Sequence, residues 1–266
     1  MKFSVLSSVY IKENPQFLDE CLKSIGWQTM KADEIILVHD GPLTEQLYDV
    51  IKKWKTTLPI KEMKLKDNVG LGKALNTGLS MCRYEYVVRV DSDDVNHPSR
   101  FEKQMSYMED RPNLSAASSF LNEFIVDYRL PVRTRVVPVE NIKQYALMRS
   151  PLNHPSTIFR KSSIENVGGY KHLLFLEDYY LWLRLLAAGY DIGNTEEALV
   201  SARVGEGMLD RRRGLAYAKS ELILMNKIYH LGLSKNPKVA FVFLIRAISR
   251  FLPSKVLALV YRVMLR

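Results

Sequence analysis

A group of carboxylates, Asp91-Ser92-Asp93-Asp94, directly follows the apolar segment Tyr86–Val90. Three carboxylates this close repel one another unless a cation or hydrogen-bond donors compensate their charge. A hard divalent ion such as Mg²⁺ or Mn²⁺ takes one or two carboxylates together with phosphate oxygens. The tetrapeptide therefore indicates either a metal site for a phosphorylated ligand or a solvated acidic turn that caps the helix near Pro98.

A second pair of carboxylates, Glu177 and Asp178, begins a segment with helical spacing that ends before Gly189. An ionised carboxylate is suited to take a proton from a hydroxyl group. The helix dipole lowers the pKa of a carboxyl group in the first turn, whereas burial raises it. Asp178 is therefore interpreted either as a general base or as a residue that only complements the helix end.

The elements that must position these carboxylates alternate along the first part of the chain. Helical spacing follows Pro15, Thr44, Gly70 and Ser99. Compact apolar segments that predict strands are Phe3–Val9, Glu34–Val38, Ile60–Leu65 and Tyr86–Val90. This order predicts an α/β fold with a mainly parallel sheet flanked by helices. Ligands bind beyond the carboxyl ends of such strands, where Asp40 and the acidic turn fall.

Charge is distributed unevenly along the 266 residues, whose net charge is +9. Residues 1–200 carry 25 Lys and Arg against 26 Asp and Glu, whereas residues 201–266 carry 13 against 3. A nucleic-acid groove along the whole chain is therefore not expected, but a local contact with an anionic surface is. Two cysteines, Cys21 and Cys82, exclude a disulfide scaffold.

Several short motifs occur in a distinctive order around these carboxylates. They are Ser4–Tyr10, Val38-His39-Asp40-Gly41-Pro42, Asn68–Gly78, the acidic turn, His154-Pro155-Ser156-Thr157, Phe159-Arg160, Val167–Tyr170, Leu176–Tyr179 and Trp182-Leu183-Arg184. Together they resemble family 2 glycosyltransferases, in particular bacterial enzymes of the amylovoran type that build surface polysaccharides. The resemblance covers roughly residues 1–205 and implies the Rossmann-like GT-A fold there; residues 206–266 are predicted separately to form a basic amphipathic helical extension.

The resemblance also implies an activity. It is the inverting transfer of a hexose or N-acetylhexosamine from a UDP-sugar, with Mg²⁺ or Mn²⁺, to an acceptor that we expect to be a lipid-linked oligosaccharide. Asp178 matches the catalytic base, and Asp93 and Asp94 match metal ligands. Candidate substrate-binding residues, in part by match to the family, are Ser8, Tyr10, Asp40, Lys73, Asp91, His154, Glu177, Trp182, Arg184 and Arg203.

Several of these residues also have a plain structural interpretation. Lys73 either pairs with the diphosphate or is solvated, and Trp182 and Arg184 either shape the acceptor pocket or pack their helix. Two positions depart from the family pattern. His39 stands where the family usually has an aspartate, and Val204-Gly205-Glu206 follows Arg203 where relatives often place a histidine. Glu206 is the candidate for a third protein ligand of the metal.

The basic C-terminal part of the chain, residues 201–266, is predicted to be helical. One helix is expected over residues 207–234, and two shorter helices, separated at Pro253, are expected over residues 237–266. On the first short helix, Lys235, Lys238, Arg246 and Arg250 fall close to one stripe beside a broad apolar face. This pattern is typical of a helix on anionic lipid. The alternative is a helix pair packed on the catalytic domain or in a homodimer.

No apolar run reaches the roughly 20 residues of a spanning helix, and the first residues do not form a secretory signal. We therefore expect a cytoplasmic protein, peripheral to the inner face of the membrane. Two other functions compete with glycosyl transfer. One is a non-catalytic module that binds sugar nucleotides or membranes. The other is a nucleotidyltransferase, which is disfavoured because residues 7–15 lack a glycine-rich basic loop.

Overall fold

The computed structural model describes residues 1–205, 212–253 and 256, which form a mainly parallel sheet with helices on both faces. The strands are β1 Phe3–Val9, β2 Glu34–His39, β3 Ile60–Lys64, β4 Tyr86–Asp91, β5 Val95–Asn96, β6 Leu114–Phe124, β7 Arg133–Arg135, β8 Ile158–Arg160 and β9 Asp191–Arg203. The helices are α1 Pro15–Gly26, α2 Glu45–Trp54, α3 Leu71–Met81, α4 Arg100–Glu109, α5 Ile142–Ala146, α6 Lys161–Asn166, α7 Glu177–Ala187, α8 Leu215–His230 and α9 Pro237–Ser249.

The sheet has the strand order β3-β2-β1-β4-β8-β6-β9-β5, and β7 pairs with β6 outside this path. Strands β1 to β4 run parallel, and β8 is inserted antiparallel between β4 and β6. Strand β9 lies parallel to β6. The predicted α/β class with a mainly parallel sheet is confirmed.

Alternate residues of the central strands build two cores, one on each face of the sheet. Leu6, Ile36 and Val87 belong to the core that also contains α3 and α7. Val5, Leu37 and Val88 belong to the core under α1, α2 and α4. This division follows from the two-residue period of a strand, whose neighbouring side chains point to opposite faces. Apolar residues are therefore needed at nearly every strand position, as the compact apolar segments of the sequence indicate.

The C-terminal helices α8 and α9 pack on the core that contains α7. Leu224, Ile228 and Phe243 are buried in the same core as Leu183 of α7. The first of these helices begins at Leu215 and not at residue 207, after Gly214 with φ +89°. The second predicted short helix beyond Pro253 lies outside the described residues, apart from Val256. The division of the chain at residue 205 stays a prediction.

The predicted basic stripe does not form on α9. Arg246 and Arg250 point inward and pair with Glu221 of α8, which is fully buried. A buried carboxylate requires such partners, because an uncompensated charge in the interior is costly. Within the described ranges, no helix combines the length and apolar character needed to cross a bilayer.

Candidate active site

The carboxyl ends of three neighbouring strands bring the predicted residues to one edge of the sheet. Ser8, near the end of β1, lies opposite Val38 of β2 and opposite Asp91 of β4. The main-chain N–H of Asp40 donates to the carbonyl of Val9 at 2.8 Å, which continues this pairing beyond β2. Tyr10 follows β1 and is 39% exposed, so its ring is available at the same edge.

Asp40 joins the end of β2 to the start of α3. Its carboxylate accepts the main-chain N–H groups of Val69 at 2.7 Å and Gly70 at 3.1 Å, although only 5% of the residue is exposed. These donors precede the helix, where backbone N–H groups lack partners within the helix. Each carboxylate oxygen accepts more than one hydrogen bond, so Asp40 retains capacity to contact a ligand.

The acidic turn gathers its carboxylates as the spacing predicts. Ligand atoms of Asp91, Asp93 and Asp94 all lie within 4.8 Å of one another. The hydroxyl of Ser92 donates to the carboxylate of Glu13 at 2.5 Å, and the main-chain N–H of Arg203 donates to Asp94 at 2.8 Å. The turn is thus fastened both to the loop after β1 and to the end of β9.

The electrostatics of this turn fit a divalent cation. Burial and the neighbouring Asp91 raise the pKa of Asp93 to about 7 and raise the pKa of Asp94 well above its usual range. The cause is the removal of negative charges from water close to like charges. An all-oxygen donor set in this state suits Mg²⁺ or Mn²⁺, since a cation would keep the carboxylates ionised.

Asp178 lies in the first turn of α7 and is half-buried. Burial raises its pKa, and this effect outweighs the lowering by the main-chain N–H of Tyr179 and by the charges of Arg135, Arg89 and Arg212. The balance that the sequence leaves open is therefore decided in favour of burial. A carboxylate with a raised pKa is a stronger base than an exposed aspartate.

The side chain of Glu177 lies against the start of α3, at Gly72. A Cβ atom on Gly72 would lie 3.5 Å from the Cγ atom of Glu177 and 3.5 Å from the Cβ atom of Tyr170. The start of α3, which Asp40 fixes from one side, therefore meets the start of α7 on the other. Lys73, in this same turn of α3, is exposed and makes no ion pair within the described parts of the chain.

His154 belongs to a connected group of side chains between α3 and α7. Its Nε2 atom lies 2.9 Å from the hydroxyl of Tyr170, and its ring meets that of Trp182 at 6.2 Å between centroids. Asn76 of α3 fixes Tyr170 through both main-chain groups, each at 2.7 Å. Burial and the charge of Arg89 lower the pKa of His154 well below its usual range, so the imidazole is neutral.

Two predicted residues have contacts that fit packing. Arg184 donates to the carbonyls of Val167 and Gly169, and Trp182 is fully buried. Arg203 is also occupied, because its guanidinium donates to Glu20 and lies 3.7 Å from the ring centroid of Phe17. These contacts order the loop at Gly168 and the back of the acidic turn.

The first departure from the family pattern has a clear structural consequence. His39 is fully buried, and its Nε2 atom lies 3.3 Å from a carboxylate oxygen of Glu62 on β3. Burial lowers the pKa of His39. The side chain is therefore turned into the sheet, and Asp40 alone of this pair faces the start of α3. Glu206 lies outside the described residues.

Glu13 and Arg89 also belong to the site, although neither is among the residues predicted from the sequence. Glu13 accepts the hydroxyl of Ser92, and Arg89 donates to the carboxylate of Asp91. Arg89 has a recognisable signal, because a charged residue interrupts the apolar strand Tyr86–Asp91. Glu13 has a weaker signal, namely its place in the loop at the carboxyl end of β1.

The fold and the site together are typical of an α/β group-transfer enzyme. The acidic turn and the separate carboxylate of Asp178 are the features that define this class. The sequence model described as glycosyl transferase family 2 matches residues 4–168. The chain belongs to glycosyltransferase family 2 and is a glycosyltransferase. This result argues against both competing functions, the non-catalytic module and the nucleotidyltransferase.

Two relatives are similar to this chain over nearly their whole length. The chain is 42% identical over 261 residues to the amylovoran biosynthesis glycosyltransferase AmsE of Erwinia amylovora, covering 97% of each chain. It is 38% identical to the UDP-Gal:alpha-D-GlcNAc-diphosphoundecaprenol beta-1,3-galactosyltransferase of Escherichia coli, covering 100% of this chain and 97% of that enzyme.

Solved structures share the GT-A fold at lower identity. TarS 1–349 of S. aureus in complex with UDP-GlcNAc has a TM-score of 0.69 at 20% identity, covering 94% of this chain and 72% of that one. The mannosyltransferase PcManGT of Pyrobaculum calidifontis, in complex with GDP-Man and Mn²⁺, has a TM-score of 0.67 at 16% identity, covering 99% and 80%.

Proposed function

We propose that this enzyme transfers a hexose or N-acetylhexosamine from a UDP-sugar, with inversion, to a lipid-linked oligosaccharide in the synthesis of a surface polysaccharide. The observation that carries the proposal is the position of Asp178. This carboxylate has a raised pKa and is not one of the three clustered in the acidic turn, which supports a base at Asp178 and a separate region for a charged leaving group.

Asp178 takes the proton of the acceptor hydroxyl in the proposed step. The hydroxyl oxygen forms a bond to the anomeric carbon while the bond from that carbon to the diphosphate oxygen breaks, and its electron pair leaves with UDP. Attack from the face opposite the leaving group inverts the anomeric centre. A single base is sufficient for this displacement.

Asp91, Asp93 and Asp94 are the residues that would hold Mg²⁺ or Mn²⁺. A bound divalent ion supplies charge stabilisation for the diphosphate leaving group. Ser8, Tyr10 and Asp40 stand at the ends of β1 and β2, where we place the nucleoside, and Lys73 is placed beside the diphosphate. The UDP-Gal donor and the GlcNAc-diphosphoundecaprenol acceptor of the E. coli relative support a UDP-sugar donor and a diphosphate-linked lipid acceptor.

A screen of nucleotide sugars tests the donor and the metal together. UDP-sugars are incubated with the full chain, and release of UDP is measured with Mg²⁺, with Mn²⁺ and with a chelator. We expect release from at least one UDP-sugar, and loss of release when the metal is chelated. Equal release in the presence of the chelator would contradict the metal assignment, and release from GDP- or CMP-sugars only would contradict the donor.

The acceptor proposal implies contact with a membrane, and α9 presents a suitable face. Its outward row consists of Phe241, Leu244 and Ile248, and Phe251 follows just after the helix; these residues are 63%, 48%, 59% and 59% exposed. Exposed Lys235 and Lys238 lie at the start of this helix. Apolar residues beside basic ones suit the surface of an anionic bilayer at the cytoplasmic face.

Flotation with vesicles tests this row without removing α9. Truncation would be uninformative, since it would expose the core and leave Glu221 without its arginine partners. We expect the full chain to float with phosphatidylglycerol-containing vesicles, and the double variant Phe241→Ser/Ile248→Ser to remain in solution. Trp27→Ser, which removes an aromatic ring 60% exposed at the end of α1, is the matched control. Equal flotation of the double variant would contradict the proposal.

A homodimer is the alternative that the sequence leaves open for the same row. In that case light scattering gives twice the mass of one chain, and Phe241→Ser/Ile248→Ser returns the mass to that of a monomer. Vesicle binding by a monomer therefore supports the membrane proposal, whereas a dimer that does not float supports the alternative.

A further inference from the structure

Arg89 is a charged residue near the carboxyl end of β4, yet its side chain is buried in the middle of the sheet. Only 1% of the residue is exposed, and it pairs with Leu6 of β1. Its main-chain N–H donates to the carbonyl of Thr157 at 2.9 Å, and its carbonyl accepts from Arg100 at 2.7 Å. The backbone at this position is therefore fixed on both sides.

Only some of the hydrogen-bond donors of the Arg89 guanidinium have a partner. Its Nη2 atom donates to the carboxylate of Asp91, whereas Nε and Nη1 have no hydrogen-bond partner among the described residues. Unpaired buried donors lower stability, so packing alone does not explain an arginine here. A role at the neighbouring site is the better explanation.

The charge of Arg89 acts on groups in both parts of the candidate site. These groups are Asp91 and Asp94 of the acidic turn, and Asp178 and the hydroxyl of Tyr170. Among these groups Arg89 forms its ion pair with Asp91 alone. Its contact is therefore with the turn that would hold the metal, and its charge also acts on the carboxylate of the proposed base.

We propose that Arg89 is a positioning residue of the transfer reaction. It holds the carboxylate of Asp91 in place within the acidic turn, and it supplies a fixed positive charge toward Asp178. The second part rests on the proposed function, since it requires Asp178 to be the base. The first part does not require that base, because it concerns the geometry of the acidic turn and the ion that this turn would hold.

Two substitutions separate the two parts. Arg89→Lys retains the positive charge but loses the planar fork that orients a carboxylate. Arg89→Met loses both. The matched control is Arg246→Lys, which alters another arginine that pairs with a buried carboxylate, that of Glu221 in the contact between α8 and α9. Thermal unfolding of each variant establishes that the chain is folded.

Binding of Mn²⁺ with UDP, measured by calorimetry, tests the first part without turnover. Loss of a group that orients a metal-binding carboxylate typically weakens metal affinity about 10–100-fold. We expect this loss in both Arg89 variants and not in Arg246→Lys, which should lower only the unfolding temperature. Unchanged affinity in Arg89→Lys and Arg89→Met would overturn this part.

The pH dependence of kcat/KM at saturating Mn²⁺ tests the second part. The groups that act on Asp178 from the surrounding elements are Arg135 of β7, Arg212 before α8, Arg89 of β4, Tyr170 after α6, and Glu177 and the N–H of Tyr179 on α7 itself. Removal of the positive charge at Arg89 disfavours the ionised carboxylate and raises its pKa.

The acidic limb of the profile should therefore move to higher pH in Arg89→Met and stay in place in Arg89→Lys. A limb that does not move in Arg89→Met would overturn the second part. Failure of the proposed function itself has another signature, since Asp178→Asn would then retain transfer while the change in Mn²⁺–UDP affinity at Arg89 would persist.

Discussion

The contact between the end of β2 and the start of α3 shows how single residues shape the site. Gly41 has φ +88°, and a Cβ atom there would lie 2.9 Å from the main-chain nitrogen of Asn68. The chain can therefore pass close to the start of α3 only with glycine at this position. The neighbouring Asp40 needs this approach in order to accept the N–H groups of Val69 and Gly70.

Gly41→Ala should for this reason lower both stability and donor binding. We expect the free energy of unfolding to fall by about 1–3 kcal/mol, because a positive φ and a close backbone contact are combined. UDP affinity should fall as well, since Asp40 shifts with the turn. Urea denaturation and calorimetry measure the two effects. Gly205→Ala is the control, because a Cβ atom there meets no atom within 4 Å; equal stability of the two variants would contradict the assignment.

The raised pKa of Asp178 predicts a pH dependence. The proposed base acts when it is ionised, so activity is lost as pH falls through its pKa, and burial places this limb above the range of an exposed aspartate. The profile of kcat/KM at saturating Mn²⁺ measures the limb. A limb in the ordinary range of aspartate would contradict the burial argument.

Residue spacing predicts part of the site but not all of it. The close approach of Asp91, Asp93 and Asp94 follows from their position after an apolar strand. The contacts of Arg184 and Arg203 do not, because their partners, Gly169 and Glu20, are distant in the chain and are hydrogen-bonded through the fold. The role of Arg89 is also a property of its surroundings, not of its neighbours in sequence.

At the scale of elements, strands that are buried on both faces could be predicted and the long β9 could not. Residues 191–203 include Asn194, Glu196 and Glu197, which give no apolar period. Asn194 is nevertheless buried, because its amide donates to the carbonyls of Pro138 and Pro151 and accepts from the hydroxyl of Ser118. Hydrogen bonds formed in the fold replace hydrophobicity, so the pattern alone did not indicate a strand.

The α8–α9 pair depends on Glu221 and its two arginines. Glu221→Leu leaves Arg246 and Arg250 without their carboxylate, and we expect a loss of about 3–5 kcal/mol in the free energy of unfolding. Urea denaturation measures this change. The triple variant Glu221→Leu/Arg246→Met/Arg250→Met removes all three charges together and should recover most of the loss.

Comparison of these two variants separates a charge effect from a packing effect. If the triple variant is as unstable as Glu221→Leu, the loss comes from the shape of the helix contact and the ion-pair argument is wrong. Glu123→Leu, at a half-buried position of β6, is the control. It shows how much stability changes when a single glutamate outside the α8–α9 contact is replaced by leucine.

At the scale of the whole molecule, charge is divided between two tasks. The catalytic region concentrates carboxylates at one sheet edge, and the basic excess lies after residue 200. Part of that excess neutralises Glu221 in the interior, and Lys235 and Lys238 remain exposed at the start of α9. The sequence predicts the division of charge, but only packing shows which cations face solvent.

The acidic turn should lower the stability of the protein when no cation is bound. Asp93→Asn removes one of the repelling charges, so we expect a higher unfolding temperature without metal at alkaline pH. For the unaltered chain, Mn²⁺ with UDP at 100 times the dissociation constant adds about 2.7 kcal/mol, and Asp93→Asn should lose most of this gain. Thermal unfolding with and without Mn²⁺ and UDP measures both effects, and an equal gain in the two proteins would contradict the metal site.

The most direct measurement compares transfer and binding in Asp178→Asn. The variant keeps the shape of the side chain but cannot accept the proton, so we expect transfer to fall by about 10²–10⁴-fold. Binding of UDP with Mn²⁺, measured by calorimetry, should be unchanged. Asp191→Asn, at an exposed carboxylate that pairs with Lys143, is the matched control and should keep full activity. Full transfer by Asp178→Asn would contradict the account.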